Sequence, residues 1–179
     1  MEATAQSATN ARKEAAVAAA VEKVSQFLTF TLGSEEYGVE ILRVQEIRGW
    51  QQVTRVPSAP THMLGVLNLR GVIVPIIDMR MRFRLDKIEY TPLTVIIVLS
   101  VQGPAGTNVF GVVVDSVSDV LDVKASDVKV KPDFGASVNT DFINGLATVG
   151  EHMVMLLDID KLLSTDELTA LSRAVGAAA

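Results

Sequence analysis

The 179-residue sequence contains no cysteine, which excludes disulfides, thiol catalysis and thiolate metal sites. It also contains no P-loop, dinucleotide-binding, zinc-protease or nucleophile-elbow motif. Only two histidines are present, and His152 has no neighbouring nucleophile that it could activate as a general base. Asp158 and Asp160 lack the glycine and the distal glutamate of a calcium loop, so helix capping is the better interpretation. The sequence predicts no catalytic residue, no cofactor and no metal site.

Basic charge and long apolar segments are also scarce. The formal net charge is −5, from 16 basic and 21 acidic residues, so no basic field favours nucleic acid or anionic lipid. Apolar runs within strand-like segments, such as Val95–Leu99 and Met153–Leu157, are far shorter than a bilayer span. The alanine-rich segment Ala15–Val21 has acidic residues on both sides, which argues against a signal peptide. These features predict a cytoplasmic protein that does not insert directly into a membrane.

An internal repeat organises the rest of the chain. Gly65–Asp78 aligns with Gly145–Asp158 at an offset of 80 residues, and both segments begin with Gly and end with Asp. Each consists of two apolar strands joined by a glycine-containing turn, Arg70-Gly71 in the first copy and Gly150-Glu151 in the second. This pattern is typical of a β-hairpin, because glycine adopts the positive φ that a tight turn requires.

A second pair of segments supports the duplication. Tyr37–Ile47 matches Phe110–Val120, and an apolar strand precedes each copy, at Phe27–Leu32 and Thr94–Leu99. Each repeat is therefore predicted to contain a strand, a strand, an acid-bearing segment, a hairpin and a short helix. A unit of about 60–70 residues is only marginally stable alone, so we expect the two halves to pack together and share apolar surface.

Many short strands with regular turns predict an all-β protein, with two five-stranded barrels packed side by side and short connecting helical turns. The barrels would cover about residues 27–85 and 93–163, possibly with strand exchange between them. The first strand could pair with either barrel. Residues 1–26 are predicted to form a flexible tail, and residues 164–176 a C-terminal α-helix that begins at a capping box.

Local chemistry predicts further details within the first repeat. Leu42–Ile47 is expected to leave the sheet for a helical or irregular turn, and Gln52–Val56 to form a strand. Pro75 suggests a sheet edge or a bulge, because proline cannot donate a ladder hydrogen bond. Met79–Phe83 is expected to form one helical turn whose arginines, Arg80, Arg82 and Arg84, point outward.

The repeat separates residues that the barrels need from residues that are free for another task. Gly65 and Asp78 have counterparts of the same type in the second copy, and Glu46 has an acidic counterpart in Asp119. Asn68 and Arg70 occur only in the first copy, since Gly150 occupies the place of Arg70. This asymmetry marks the first hairpin as a candidate binding site.

Two long segments resemble a known family. EEYGVEILRVQEIRG (Glu35–Gly49) and GVLNLRGVIVPIIDMRMRF (Gly65–Phe83) are similar to the CheW-like domain family of bacterial chemotaxis coupling proteins. The resemblance extends from about Phe27 to Leu168. The same domain occurs in CheV proteins and at the C-terminus of the histidine kinase CheA. This chain has neither a receiver nor a kinase domain, so the stand-alone couplers are the better match.

The resemblance implies a fold, an activity and two binding sites. The fold is a pair of SH3-like five-stranded barrels, and the protein is a non-catalytic adaptor that couples the cytoplasmic tips of transmembrane chemoreceptors to the regulatory domain of CheA. Such proteins are recruited to receptor arrays at the inner face of the membrane. The receptor-binding positions that match the family are Val44, Glu46, Ile47, Asn68 and Arg70. The kinase-binding positions are Lys129 and Phe134, on a weaker local match.

Two other function classes remain as alternatives at this point. Small β-barrels commonly bind nucleic acid, but the acidic balance and the 5% aromatic content disfavour this function. A retardation assay at low salt would test it. A small enzyme is disfavoured by the missing nucleophile and metal constellations, and turnover screens against phosphoesters would test that alternative.

Overall fold

Within the residues that the computed structural model describes, namely 23–86, 89–103, 106–132 and 140–163, the chain forms eleven β-strands and two short α-helices. The strands are β1 (Val24–Leu32), β2 (Glu35–Glu40), β3 (Val44–Gly49), β4 (Met63–Leu69), β5 (Val72–Asp78), β6 (Val95–Gly103), β7 (Gly106–Val114), β8 (Ser116–Lys124), β9 (Val128–Lys129), β10 (Ile143–Val149) and β11 (His152–Leu157). The helices are α1 (Met79–Arg82) and α2 (Ile159–Leu162), and 3₁₀ turns span Ile41–Arg43 and Ala125–Asp127.

Each of the two sheets combines strands from both repeats. The six-stranded sheet has the order β8-β1-β2-β11-β10-β9, and the five-stranded sheet has the order β3-β6-β7-β5-β4. We call them barrel I and barrel II. In barrel I the strand β2 of the first repeat pairs in parallel with β11 of the second, and in barrel II β7 pairs in parallel with β5. The first strand, whose barrel could not be decided from the sequence, lies in barrel I.

Three clusters of buried apolar side chains hold this arrangement together. One draws on strands of barrel I alone and includes Phe27, Ala147 and Leu156. A second draws on barrel II and includes Ile76, Ile96 and Val98. The largest contains residues of both barrels, among them Phe30, Leu32, Ile77 and Ile97. The predicted all-β fold of two SH3-like barrels is confirmed, and so is the prediction that the two halves share apolar surface.

The two hairpins and the helices that follow them match the prediction closely. β4–β5 and β10–β11 are antiparallel pairs with two-residue turns. An aspartate at or directly after the end of each hairpin caps a four-residue helix: the Asp78 carboxylate accepts N–H groups of α1, and the Asp158 carboxylate accepts N–H groups of α2. A side-chain cap satisfies N–H groups that a helix start leaves unpaired, so the aspartate at this place has a structural role in both repeats.

Two strand predictions in the first repeat are wrong. Val44–Gly49 does not leave the sheet but forms the edge strand β3, after a 3₁₀ turn of only three residues. Gln52–Val56 is not a strand, because only Thr54 pairs, in an isolated bridge with Val66. The segment approaches β4 closely at this bridge: a Cβ atom added to Gly65 would lie 2.1 Å from the Thr54 carbonyl oxygen.

Other details also differ from the prediction. β1 begins at Val24 rather than Phe27, because its first residues pair with the end of β8. The prediction for Pro75, in contrast, agrees with the structure. Pairing of β5 with β7 begins only at Ile76, so Pro75 lies at a locally open edge, and the β4–β5 register shifts close by, between Met63 and Gly65. Arg80 does not point into solvent, since it forms an ion pair with Asp115.

Several predictions concern residues outside the described ranges. They are residues 1–22 of the predicted tail, Phe134, and the predicted helix 164–176. In the described part of the chain, no helix has the length and apolar character needed to cross a membrane.

Candidate functional site

The tip of the β4–β5 hairpin carries the arginine that distinguishes the first repeat. Arg70 and Gly71 are the two central residues of the turn, with φ values of 53° and 88°. Positive φ at both positions is what a type I′ turn requires. The Asn68 carboxamide oxygen accepts the Gly71 N–H at 2.8 Å and so stabilises the turn. A non-glycine residue in this region is strained, and such strain is often retained at functional sites.

Arg70 forms an ion pair with Glu46, another of the predicted receptor-binding residues. Its Nη2 atom lies 2.6 Å from Glu46 Oε2, and the Arg48 Nη1 atom lies 3.4 Å from Glu46 Oε1. Glu46 is on β3 and Arg70 follows β4, which are opposite edges of the five-stranded sheet. Five flat strands would separate these edges by roughly 19 Å, so the contact requires a sheet that curls into a barrel. The Arg70 side chain is 81% exposed and therefore remains accessible to a partner.

Val44 and Ile47 lie on one face of β3 although they are three positions apart in the sequence. In a regular strand this spacing would place them on opposite faces. The register shifts between Val44 and Glu46, so that Val44 is opposite Leu99 and Ile47 is opposite Ile97. Both partners belong to the cluster that the barrels share. Val44 packs against that cluster, whereas Ile47 is 45% exposed.

The structure adds residues that the sequence analysis did not select. Val72 and Ile73 follow the turn, and both are exposed apolar residues of β5. Ile73 is the cross-strand partner of Asn68. A two-residue turn at Arg70-Gly71 fixes this register, so the pairing could have been predicted from the turn length alone. Arg48, the second partner of Glu46, lies two residues further along β3 and therefore on the same face of the strand. This contact could also have been predicted from the sequence.

The two predicted kinase-binding residues are separate from this surface. Lys129 is an exposed residue of β9 in barrel I, where it pairs with Leu146. The five predicted receptor-binding residues belong to barrel II or to its hairpin turn. Phe134 lies outside the described residues. The structure thus brings Glu46 together with Arg70 and Val44 together with Ile47, but it places Lys129 on a different barrel.

A cavity of about 780 Å³ lies beside α1, and its lining includes Met63, Asp78, Met81 and Tyr90. Burial raises the pKa of Asp78, an effect that the two N–H groups of α1 oppose. Because that carboxylate already caps the helix, its position is explained by the fold. No group of three or more histidine, aspartate and glutamate side chains that could hold a metal occurs among the described residues.

Comparison with known proteins assigns the family. The CheW-like domain profile matches residues 26–167. Chemotaxis protein CheW of Klebsiella aerogenes is 51% identical over 143 residues, which cover 80% of this chain and 84% of that protein. Chemotaxis protein CheW of Rhizobium meliloti is 36% identical, with 81% and 91% covered. The scaffolding protein TtCheW of Thermoanaerobacter tengcongensis has a similar structure, with a TM-score of 0.72, 26% identity, and 81% and 96% covered. With its fold, its repeat and these matches, the chain belongs to the CheW-like domain family.

Proposed function

We propose that this chain couples transmembrane chemoreceptors to the histidine kinase CheA, and that it catalyses no reaction itself. Its relatives are chemotaxis proteins and a scaffolding protein, so a role as a chemotaxis coupling adaptor follows from the family. The receptor tip, the regulatory domain of CheA and the position at the inner face of receptor arrays belong to the proposal.

The receptor is proposed to bind at β3 and the tip of the first hairpin. Val44 and Ile47 present apolar side chains on one face of the strand, next to the core that the barrels share. A helical segment of the receptor would gain affinity from this apolar surface, as in other helix-in-groove complexes. The Glu46–Arg70 pair at its border would set the orientation of that helix, because charged groups at an interface mainly determine specificity and association rate.

The observation that carries the proposal is the exposed arginine at a strained turn position, paired with an acid on the opposite sheet edge. The second repeat has the same hairpin without this arginine. The fold therefore does not require it. A side chain that the fold does not require, in a conformation that costs free energy, is best explained by recognition of a partner.

The kinase is proposed to bind barrel I at Lys129 and Phe134. Because Lys129 and the receptor-binding residues are on different barrels, an adaptor of this design could hold both partners at once. Lys129→Glu should weaken binding of the CheA regulatory domain and leave binding of the receptor unchanged. Loss of both interactions would contradict a division of labour between the barrels.

Charge reversal at the first hairpin tests the receptor site. Arg70→Glu or Glu46→Lys should raise the Kd for a purified receptor cytoplasmic fragment by about 10²-fold, since a reversed interface charge costs a few kcal/mol. The melting temperature should hardly change. Glu151→Lys, at the equivalent tip of the second repeat, is the matched control and should leave the Kd unchanged. Equal effects at both tips, or unfolding of the Arg70 variant, would argue against the site.

A reconstitution tests the function as a whole. Receptor fragment and CheA are mixed with and without the purified chain, and autophosphorylation of the kinase is measured. The chain should make kinase activity depend on the receptor. Arg70→Glu should abolish this dependence while CheA still binds.

A further inference from the structure

Two ion pairs connect the barrels at equivalent places. In one, the Arg80 guanidinium binds the Asp115 carboxylate through two contacts, with Nε 2.8 Å from Oδ1. In the other, Arg43 binds Asp160 through two contacts, at 2.6 and 3.3 Å. All four side chains are less than one third exposed. Paired contacts of this kind are the strong, geometrically specific class of charged hydrogen bond.

Each acid also accepts a backbone N–H from a neighbouring hairpin. The Gly33 N–H, in the turn between β1 and β2, donates to Asp115 at 2.8 Å. The Gln102 N–H, near the end of β6, donates to Asp160 at 2.8 Å. Each ion pair therefore joins a helix, a hairpin and a segment that crosses between the barrels.

The two sites are related by the internal repeat, but their charges are reversed. Arg80 and Asp160 are both the second residue after the capping aspartate of α1 or α2. Arg43 ends the 3₁₀ turn between β2 and β3, and Asp115 lies between β7 and β8, so both are in crossing segments. In the repeat alignment, Asp115 corresponds to the residue just before Arg43. The helix carries the cation at one site and the anion at the other.

We propose that this reversed polarity favours pairing of a first repeat with a second repeat, as in the observed strand exchange. It disfavours pairing between like repeats, that is, between two first repeats or two second repeats. If the first repeat closed on itself, or on the first repeat of a second chain, Arg43 would meet Arg80. If the second repeat did the same, Asp115 would meet Asp160. Like charges in contact are strongly unfavourable in a partly buried site, so only the unlike combination satisfies both sites.

The test exchanges the charges at one site only, with Arg80→Asp and Asp115→Arg in the full chain. Both native ion pairs remain possible, but each repeat now also complements itself. After dilution from denaturant at high protein concentration, light scattering should show roughly a tenfold larger dimer fraction than in the unmodified chain, because pairing between like repeats is no longer opposed. Asp115→Arg also removes the acceptor of the Gly33 N–H, so a purely structural role of the acids predicts no recovery in the control variant that follows.

The matched control exchanges the charges at both sites, by adding Arg43→Asp and Asp160→Arg. It has the same composition and net charge, restores the preference for unlike repeats, and should return the dimer fraction to that of the unmodified chain. The single exchange at Arg43 and Asp160 should behave like the first variant. An unchanged dimer fraction in either single-site variant would overturn the proposal, and so would loss of folding in both.

Discussion

The two hairpin tips occupy equivalent places in the repeats but differ in turn type and charge. In the first, Arg70 and Gly71 both have positive φ; in the second, Gly150 has a φ of 60° and Glu151 does not share the positive region. Glu46 is paired with Arg70, whereas the equivalent acid, Asp119, accepts the N–H of its own neighbour Val120 at 2.8 Å. The barrels therefore tolerate either tip, and the tip that carries Arg70 is free to serve binding.

What the repeats share has a structural reason. Gly65 and Gly145 both lie against the carbonyl of a short paired segment, Thr54 in one barrel and Lys129 in the other. Asp78 and Asp158 both cap a helix. The two repeats therefore share the residues that the fold needs. Because the hairpin tips differ, the residues at the tips are not needed by the fold.

The largest expected effect tests whether the two barrels unfold as one. Phe30 of β1 is fully buried in the cluster that both barrels share. Phe30→Ala should lower the free energy of unfolding by about 3–5 kcal/mol, from lost burial and the remaining cavity. The single tryptophan, Trp50, packs on barrel II, so its fluorescence reports the barrel that does not contain Phe30. The fluorescence and circular dichroism transitions should shift together; separate transitions would show that the barrels are independent.

The next largest effect is the difference in stability cost between alanine substitutions at the equivalent glycines, Gly65 and Gly145. A Cβ atom at Gly65 would lie 2.1 Å from the Thr54 carbonyl oxygen, where φ is also 154°. At Gly145 the nearest backbone atom is 3.0 Å away and the closest atom belongs to the Val128 side chain. Gly65→Ala should therefore cost about 2–3 kcal/mol and Gly145→Ala about 1 kcal/mol, because a side chain can move aside more easily than the backbone. Chemical denaturation measures both; the reverse order would contradict this reasoning.

A smaller, pH-dependent effect is expected at Asp78. Burial raises the pKa of its carboxyl above the unfolded value. The folded state then binds this proton more tightly than the unfolded state, so the stability that protonation contributes is present at low pH and lost as the pH rises through the folded pKa. Asp78→Asn should stay within about 1 kcal/mol of the unmodified chain at pH 4, since Asn also caps helices. The variant should gain relative stability toward pH 7.

Asp158→Asn makes the same change at the equivalent cap, which is more exposed, and serves as the control for Asp78→Asn. Denaturation curves at several pH values between 4 and 7 give the comparison. A difference between Asp78→Asn and the unmodified chain that does not vary with pH would show that the Asp78 carboxyl makes no contribution of this kind.

The smallest expected effect comes from a substitution that makes the two hairpin tips more alike. Arg70→Gly removes the strain of positive φ but adds freedom to the unfolded chain, so the free energy of unfolding should rise by no more than about 1 kcal/mol. Receptor affinity should fall despite the unchanged fold. A clear loss of stability would instead identify the Glu46–Arg70 pair as a structural contact between the sheet edges.

Only the local parts of the fold could be predicted from the sequence. The hairpins and the capped helices follow from short local patterns, and both were found. The strand exchange depends on pairs such as Phe27 with Leu121, which lie far apart in the sequence and leave no local signal. β3 was missed because its alternation is interrupted by a bulge and by Glu46 and Arg48.

At the candidate site, the binding residues stay a prediction from the family resemblance, and their geometry could not be predicted from the sequence. The pairing of Glu46 with Arg70 depends on the curl of the whole sheet. The common face of Val44 and Ile47 depends on the bulge. Neither feature can be derived from residue spacing along a regular strand.

The strand exchange has a consequence for biosynthesis. β1 and β2 leave the ribosome first, but their neighbours across the sheet, β8 and β11, are made much later. Until the final hairpin emerges, the nascent chain must keep the free edges of its earliest strands from joining other chains. Barrel II has all its strands once β7 has been made, whereas barrel I stays incomplete until β11 emerges.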